Sequence, residues 1–534
     1  MQYLLHLLLS FINIISMNIR ILCLGAALLL ASVSNAQNFK DGLVRSSPEE
    51  QGVRSEDVSE LFQTLTDRGY ELHSLMILRH GKVIAEHWWA PYAPQYPHAM
   101  YSNTKSWTAM AIGFAVQEGL VKVSDRVVDI FPDLVPEDAA PETYRLTVEH
   151  LLTMSAGHAP VTVNPVATMM TRYKGAGDDL VRDFLSAKYA YEPGTSFEYN
   201  VTCSHMLSNI ISRVTGQTIL EYLRPRLFEP LGVEPETWEM DLSGRNMGNG
   251  GLHLKTSDMA KFGQFLLNKG VWNGVRLLDG GWIEAATTPH IYQRPNLSEE
   301  ENAKDDSGQG YGYQIWMGRC HTYRAIGAHN QVTMVLPDYD MVVVSTGSIG
   351  DEAGFNSMVY DFAKKINLKD KKIKKNKGFN LEERLAAYEL KKPFKPRPES
   401  ALKGCARKYR LFTNNLGLEA VALRFDKEGN VYVTLESASS ISNLSFGISD
   451  WMIGHSDRKM AFSRAVYPNT MDITPYRVAG LAAWESGNVL RACSLSMFNV
   501  ATSEHFRFIF DGDKLKMEIP GPGQTLVLEG VLVR

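Results

Sequence analysis

Several common enzyme signatures are missing from these 534 residues. No Gly-x-Ser-x-Gly occurs, which excludes the sharp strand-to-helix elbow of an α/β-hydrolase with His329 as its base. No His-Glu-x-x-His and no Cys-x-x-Cys occurs either, so a zinc site has no support and no cofactor is expected. Cysteine itself is sparse. Cys203, Cys320, Cys405 and Cys493 are scattered, which reads as buried free thiols more than as a disulfide framework, with one bridge left open if the chain is exported. A dominant charge is lacking too: 55 basic against 59 acidic side chains leave a net −4, which gives no electrostatic footprint for nucleic acid. The one basic run, Lys364 to Lys377, reads as a solvated connector.

The chain has the apolar content of a globular protein, 44%, and a length that implies two domains. Its N-terminus is apolar. From Met17 it carries a complete secretory signal: Arg20, an apolar stretch from Ile21 to Leu30, and Ser-Asn-Ala before Gln37. Arg20 interrupts the longer apolar run and a small-residue cleavage pattern follows, so export to the periplasm or the extracellular space is expected, with no stable membrane anchor afterwards. Cys23 precedes the apolar core, where a lipid-anchored cysteine does not belong. The expected organisation is a signal at 1–36, a large domain at 37–365, a basic, proline-containing linker at 366–400 and an all-β accessory domain at 401–534.

Periodicity supplies the elements. "LHSLMILRHGKVIAEHWWA" alternates around Arg-His-Gly-Lys and reads as a hairpin, as does "HNQVTMVLPDYDMVVVSTG" around Pro337 to Asp340. Between them, residues 102 to 118 read as one helix, "LTVEHLL" as the start of another, and "VTCSHMLSNIISRVTG" as a third that stops at Gly216. Strands at both ends with helices between predict an α+β domain: an antiparallel sheet flanked by helices, with a helical subdomain. The linker contains one short helix around Leu381 to Leu390. Beyond it, "RFDKEGNVYVTLES" and "HFRFIFDGDKLKMEI" read as hairpins, the latter with Phe506, Phe508 and Phe510 on one face, in an all-β sandwich or barrel.

Ser-x-x-Lys occurs at Ser102/Lys105, Ser400/Lys403 and Ser456/Lys459. The pattern is common, and context separates the copies. Ser400 sits beside the Pro-rich linker and Ser456 in a polar loop, whereas Ser102 opens a helix. Lys105 lies one turn on, so both side chains project from one face. A serine hydroxyl is a poor nucleophile until its proton is taken, and a lysine can take it only if burial brings its pKa down from about 10.4. The helix N-terminus adds partial positive charge, and the Ser102 N–H can form half of an oxyanion hole. Tyr199, just before the helix that ends at Gly216, is either a proton shuttle, if a neighbouring ammonium lowers its pKa, or a core tyrosine with a satisfied hydroxyl. His329, pointing with Gln331 by strand alternation, could ligate metal, act as an acid or cap an edge; Gly327 allows close backbone approach at the head of that strand.

Taken together, "YSNTKSWTAMAIGFAVQEGLVKVSDRV", "LTVEHLLTMSAGH", "PGTSFEYN…SRVTG" and "GNGGLHLKTSDMAKFGQFLLNKGVWNG" resemble, in order, the serine β-lactamase and penicillin-recognising family. The resemblance is to its class C, esterase and 6-aminohexanoate-dimer-hydrolase branch and spans roughly residues 45 to 365. It implies a β-lactamase/transpeptidase-like fold. It also implies Ser102 as acylated nucleophile, Lys105 as proton acceptor, Tyr199 as acid/base, and a second oxyanion N–H near Gln331. Asn200, Gly327, His329 and Gln331 would contact a small-molecule or peptide-like ester or amide. Two departures matter. Tyr-x-Asn reads Tyr199-Asn200-Val201, and the Lys-Thr-Gly strand reads Ala328-His329-Asn330-Gln331, so the lysine that would grip a substrate carboxylate is absent. Neutral esters or amides are therefore expected rather than β-lactams or D-alanyl peptides. The competing expectation is a catalytically silent binding protein built on the same pocket.

Overall fold

The structure, a computed structural model, describes residues 40–159, 176–235, 237–369, 372–395, 402–457, 475–497, 503–521 and 524–534. The export signal, Ser400 and Lys459 lie outside them. The N-terminal domain is built on strands β1 (Val44–Arg45), β2 (Glu71–Arg79), β3 (Lys82–Trp88), β4 (His98–Ala99), β5 (Thr237–Trp238) and β6 (Leu252–Leu254). A small hairpin, β7 (Val271–Trp272) and β8 (Val275–Arg276), precedes β9 (Trp316–Gly318), β10 (Thr322–Gly327), β11 (Gln331–Leu336) and β12 (Met341–Ser348). The principal helices are α1 (Ser55–Asp67), α2 (Thr104–Gln117), α3 (Val201–Thr215), α4 (Thr256–Leu267) and α5 (Glu352–Lys364).

Seven strands form the central sheet in the order β1-β3-β2-β12-β11-β10-β9. Its pairings are antiparallel except at the edge, where β1 runs parallel to β3. The inner strands are apolar on both sides because both sides are covered. In β2, Met76 and Leu78 face the core shared with α2, α3 and α4, while Leu75 and Ile77 face the core under α1 and α5. Helix α1 meets that second core with Val58, Leu61, Phe62 and Leu65, one face of a helical period. A three-stranded ribbon, β4-β6-β5, lies beside the sheet and leads from β4 into the Ser102 turn.

The helix expected over 102–118 is divided. Tyr101–Asn103 is a 3₁₀ turn, and α2 follows from Thr104. Nor is α2 amphipathic: every residue from Asn103 to Ala115 is buried, as expected of a helix enclosed by sheet and neighbouring helices. Its polar side chains turn inward to buried acceptors, Ser106 to the Gln314 carbonyl at 2.6 Å and Thr108 to that of Gly248 at 2.8 Å. Helix α3 does stop at Gly216, whose φ of +71° closes the helix in the left-handed region.

The linker is less free than its composition suggests. Its helix, Leu381–Ala386, buries Leu385, and Tyr388 stacks on Phe62 while its hydroxyl donates to Gln63 of α1 at 3.1 Å. Residues 372–395 are thus laid along the catalytic domain. Beyond them ten antiparallel strands, β13 (Ala406–Leu411), β14 (Leu418–Phe425), β15 (Val431–Ser437), β16 (Ile441–Phe446), β17 (Met452–Ser456), β18 (Tyr476–Ser486), β19 (Val489–Ser496), β20 (Ser503–Asp511), β21 (Lys514–Pro520) and β22 (Thr525–Leu532), form one sheet. It curls until Gly447 meets its far side, the Gly447 N–H donating to the Gly480 carbonyl at 3.1 Å and the Gly447 carbonyl accepting from the Ala482 N–H at 2.8 Å. Closure depends on Gly480, where a Cβ would sit 1.8 Å from the Ser445 carbonyl. Phe506, Phe508 and Phe510 fill the interior. Ser456, expected in a loop, is buried at the end of β17.

The near-barrel docks on the loop between β3 and β4. Tyr92 packs with Ala479 and Met497, the Arg477 guanidinium lies 4.9 Å over the Tyr96 ring, and Lys392 pairs with Asp450 at 3.1 Å. The four described cysteines are free; Cys203 and Cys493 are buried, but Cys320 and Cys405 are exposed, contrary to the expectation that all were core thiols. Among the described residues no helix is long and apolar enough to cross a membrane.

Candidate active site

Ser102 is the one partly exposed residue between Tyr101 and Ala115. The 3₁₀ turn that lifts it starts with Tyr101 at a φ of +46°, a left-handed conformation that costs a non-glycine residue of order 1 kcal/mol or more and persists only where surroundings enforce it. Asn103 supplies that enforcement. Its buried amide reaches the Ala325 and Gln331 carbonyls, each at 3.2 Å, and so fastens the turn to β10 and β11.

Lys105 is buried inside α2. Its Nζ lies 2.8 Å from Ser102 Oγ and 2.7 Å from the Asn249 carbonyl, with the Tyr199 ring centroid 5.3 Å away. Burial draws its pKa down from 10.5 to about 7. Near neutral pH a large fraction is therefore free amine. The amine can donate one hydrogen to Asn249 while its lone pair accepts from Ser102. Asn249 was not legible in the sequence as a site residue, because a backbone carbonyl has no side-chain signature; the only signal is its glycine-rich "GNGG" loop.

Tyr199 lines the opening, and its ring stacks on Trp316 at 5.7 Å. Phe197 and Tyr311 pack edge-on against the same indole, making an aromatic wall. Burial pushes the Tyr199 phenol up to about 12, and the hydrogen bond with Ser102 opposes this only in part. Of the two readings of Tyr199, the condition attached to the first, a phenol lowered by a neighbouring ammonium, is not met. Its neighbouring lysine is itself uncharged much of the time, so no fixed ammonium is present to stabilise a phenolate. Tyr199 is a neutral phenol able to give a proton and regain one.

The remaining candidates divide. Gly327 ends β10 where a Cβ would meet the Met100 carbonyl at 2.0 Å, so the strand can press against the Ser102 turn only as glycine. His329 is not on a strand. It sits in the β10–β11 turn with a φ of +62°, its ring edge-on to Tyr101 at 5.8 Å and its pKa lowered by burial. Alternation therefore does not pair it with Gln331, which starts β11 opposite Gly327. Gln331 is fully buried and closes the turn: Nε2 donates to the Ala328, His329 and Gly347 carbonyls, and Oε1 accepts from the Gly347 N–H. Its side chain is spent on the fold, not displayed to a substrate. Asn200 caps α3, accepting from the Thr202 N–H at 3.1 Å, and is buried too. A residue that opens a helix directly after Tyr199 is committed to the orphan N–H groups there. Among the described residues no group of three His, Cys, Asp or Glu side chains is placed to hold a metal ion.

The β-lactamase family model matches residues 58–347, more than half of the chain. The chain belongs to the β-lactamase family and is a serine hydrolase of that family. A 6-aminohexanoate-dimer hydrolase from Paenarthrobacter ureafaciens is 25% identical over 302 residues, 54% of this chain and 74% of that one. A lovastatin esterase from Penicillium rubens is 26% identical over 148 residues, 25% of this chain and 37% of that one. Among solved structures, a penicillin-binding protein homologue from Caulobacter crescentus is 17% identical, with 60% of this chain and 98% of that one covered, at a TM-score of 0.47.

Proposed function

We propose that this protein is an exported hydrolase that cleaves a neutral ester or amide through an acyl-enzyme on Ser102. The observation that carries the reading is the buried Lys105 amine 2.8 Å from Ser102 Oγ, with its pKa drawn to about 7. As Ser102 attacks the substrate carbonyl, its proton passes to Lys105. The negative charge on the carbonyl oxygen develops at the head of the fourteen-residue α2, where the Ser102 N–H and the helix end favour it. Tyr199, neutral and beside Ser102, gives its proton to the leaving oxygen or nitrogen and is reprotonated from Lys105. Water then enters by the reverse route, with Tyr199 and Lys105 taking its proton.

Substrate charge follows from the β10–β11 turn. His329 has its pKa pushed down by burial, so at neutral pH it is uncharged and offers no counter-ion to a carboxylate. The Trp316, Tyr199 and Phe197 wall instead favours an apolar acyl or amine group. An end-capped, uncharged amide and an uncharged acyl ester, the bond types of the amide and ester hydrolases among its relatives, are the first substrates to assay. Export is supported by the Arg20, apolar and Ser-Asn-Ala succession.

The test is a p-nitrophenyl acyl ester together with a fluorophosphonate probe. Wild type should release a burst and be labelled, and Ser102→Ala should do neither. Equal behaviour of the two proteins refutes Ser102 as nucleophile. Ligand binding without turnover across an ester and amide panel would favour the silent binding protein.

A further inference from the structure

Two buried histidines that take no part in the chemistry above carry an unusual hydrogen-bond count. His73, on β2 of the central sheet, and His98, on β4 of the ribbon, meet with Nδ1 of the first 2.9 Å from Nε2 of the second. The outer nitrogens are also engaged. His73 Nε2 lies 3.2 Å from Glu71 Oε1, and His98 Nδ1 lies 3.0 Å from the carbonyl of Ala99. Both outer partners are acceptors.

Three contacts need three hydrogens, and two neutral imidazoles supply two. With each ring neutral, one contact always sets two lone pairs against each other. If both outer nitrogens carry their hydrogens, the inner pair faces lone pair to lone pair. If an inner nitrogen carries one instead, the clash moves to Glu71 or to Ala99. A third proton satisfies the whole row, and because the bond with His73 holds the Glu71 carboxyl below its ordinary range, that proton belongs on an imidazole.

From this count we infer that Glu71, His73 and His98 hold one shared extra proton, and that this clasp is a positioning device for Ser102. The route is short. β4 runs from His98 through Ala99 and Met100 into the Tyr101–Asn103 turn. It pairs with β6, His98 opposite Leu254 and Ala99 opposite His253, and β6 follows the loop whose Asn249 carbonyl holds Lys105. Seating β4 on β2 therefore sets Ser102 and its lysine together. Tyr92 lies flat on His73 at 3.8 Å, and Ala479 and Met497 of the barrel close over Tyr92, so the two rings are shielded by the C-terminal domain while the Glu71 carboxylate at the end of the row reaches solvent.

The groups that face the clasp are Glu71 on β2, Tyr92 and Tyr101 on the segments around β4, His253 on β6 with its partner Glu239, and His329 of the β10–β11 turn. Burial opposes the proton on both imidazoles, and the neighbouring histidines add to that; Glu71 favours it on His73. The proton is therefore lost as pH rises, and because the Glu71 carboxylate and the Ala99 carbonyl, both acceptors, keep the two remaining hydrogens on the outer nitrogens, the bond between the rings is lost with it. The catalytic consequence, though not the proton count, rests on the hydrolase reading.

The experiment separates the two. In the full-length Ser102→Ala protein, histidine selectively labelled with ¹⁵N is titrated from about pH 5 to about pH 8. The clasp predicts that His73 and His98 take up a single proton as a unit at the acid end, with ¹⁵N–¹⁵N coupling across their hydrogen bond, and lose both together. Two neutral rings throughout, or two independent uptakes, overturn the proposal whatever the enzyme does. In active protein, His98→Gln places an amide N–H opposite His73 Nδ1 with no extra proton. It should keep the acylation burst within a few-fold and remove the part of the alkaline decline that belongs to the clasp. His98→Ala should lose about ten-fold or more, as a small displacement of a nucleophile does. A burst whose pH profile is the same in wild type and His98→Gln overturns the positioning role.

Discussion

Replacing Lys105 by Met should destroy acylation and, at the same time, alter how stability depends on pH. In the unfolded chain a lysine binds its proton with a pKa near 10.5, whereas burial brings Lys105 to about 7. The folded state therefore binds fewer protons than the unfolded one between those values, and stability rises with pH across that window. The sign is that of a burden relieved. At pH 7 keeping this lysine folded costs roughly 4 kcal/mol by linkage, and at pH 9 roughly 2 kcal/mol. Methionine fills a similar volume without that cost. It also leaves the Asn249 carbonyl without its donor and the Ser102 hydroxyl without its partner, at about 1–3 kcal/mol for a buried group. The absolute change is thus a difference of comparable terms, but its pH dependence is not. The variant's advantage over wild type should shrink by about 2 kcal/mol from pH 7 to pH 9, because the lost hydrogen bonds do not titrate. In calorimetry of the catalytic-domain transition, over a domain of this length, this amounts to about 3 °C. Parallel melting curves for the two proteins over that range would refute the buried free amine, and with it the base assigned to Ser102.

Three further outcomes follow. The acylation rate should fall about ten-fold per unit as pH drops below about 7, because the ammonium that forms cannot take the Ser102 proton; a flat acid limb in stopped-flow bursts would contradict this. Tyr199→Phe should lower kcat by roughly 10²–10⁴-fold while leaving the melting temperature nearly unchanged, since the ring still stacks on Trp316 and only the hydroxyl is lost. Gly327→Ala should cost about 1–3 kcal/mol and most of the activity, because its methyl meets the Met100 carbonyl and displaces the nucleophile turn; wild-type turnover in a stable variant would count against that close approach.

That Ser102, Lys105 and Tyr199 come together was readable because each member announces itself by side-chain type, and because Ser102 alone among three serine–lysine pairs opens a long apolar run. The positions of His329 and Gln331 were not. Alternation presumes an unbroken strand, and the left-handed residues His329 and Asn330 turn the chain before Gln331, so the two side chains part. Asn200 misled for another reason: a polar residue before a helix is equally a cap and a ligand-binding group, and only the Thr202 N–H decides. The full enclosure of α2 was hidden because its small polar residues, Thr104, Ser106 and Thr108, look solvent-facing until their buried hydrogen-bond partners are found. In the barrel, alternating phenylalanines gave the inner face directly, whereas the closure of the sheet depends on a bare backbone at Gly480.

The path of residues 372–395 over α1 bears on how the molecule can be cut. A boundary placed at the basic stretch would strip Leu385 and Tyr388 from Phe62 and leave an oily scar on the excised fragment. A shortened version meant for crystallisation or enzymology should therefore keep the chain to about residue 395. Even then Tyr92, relieved of Ala479 and Met497, would face solvent and invite self-association.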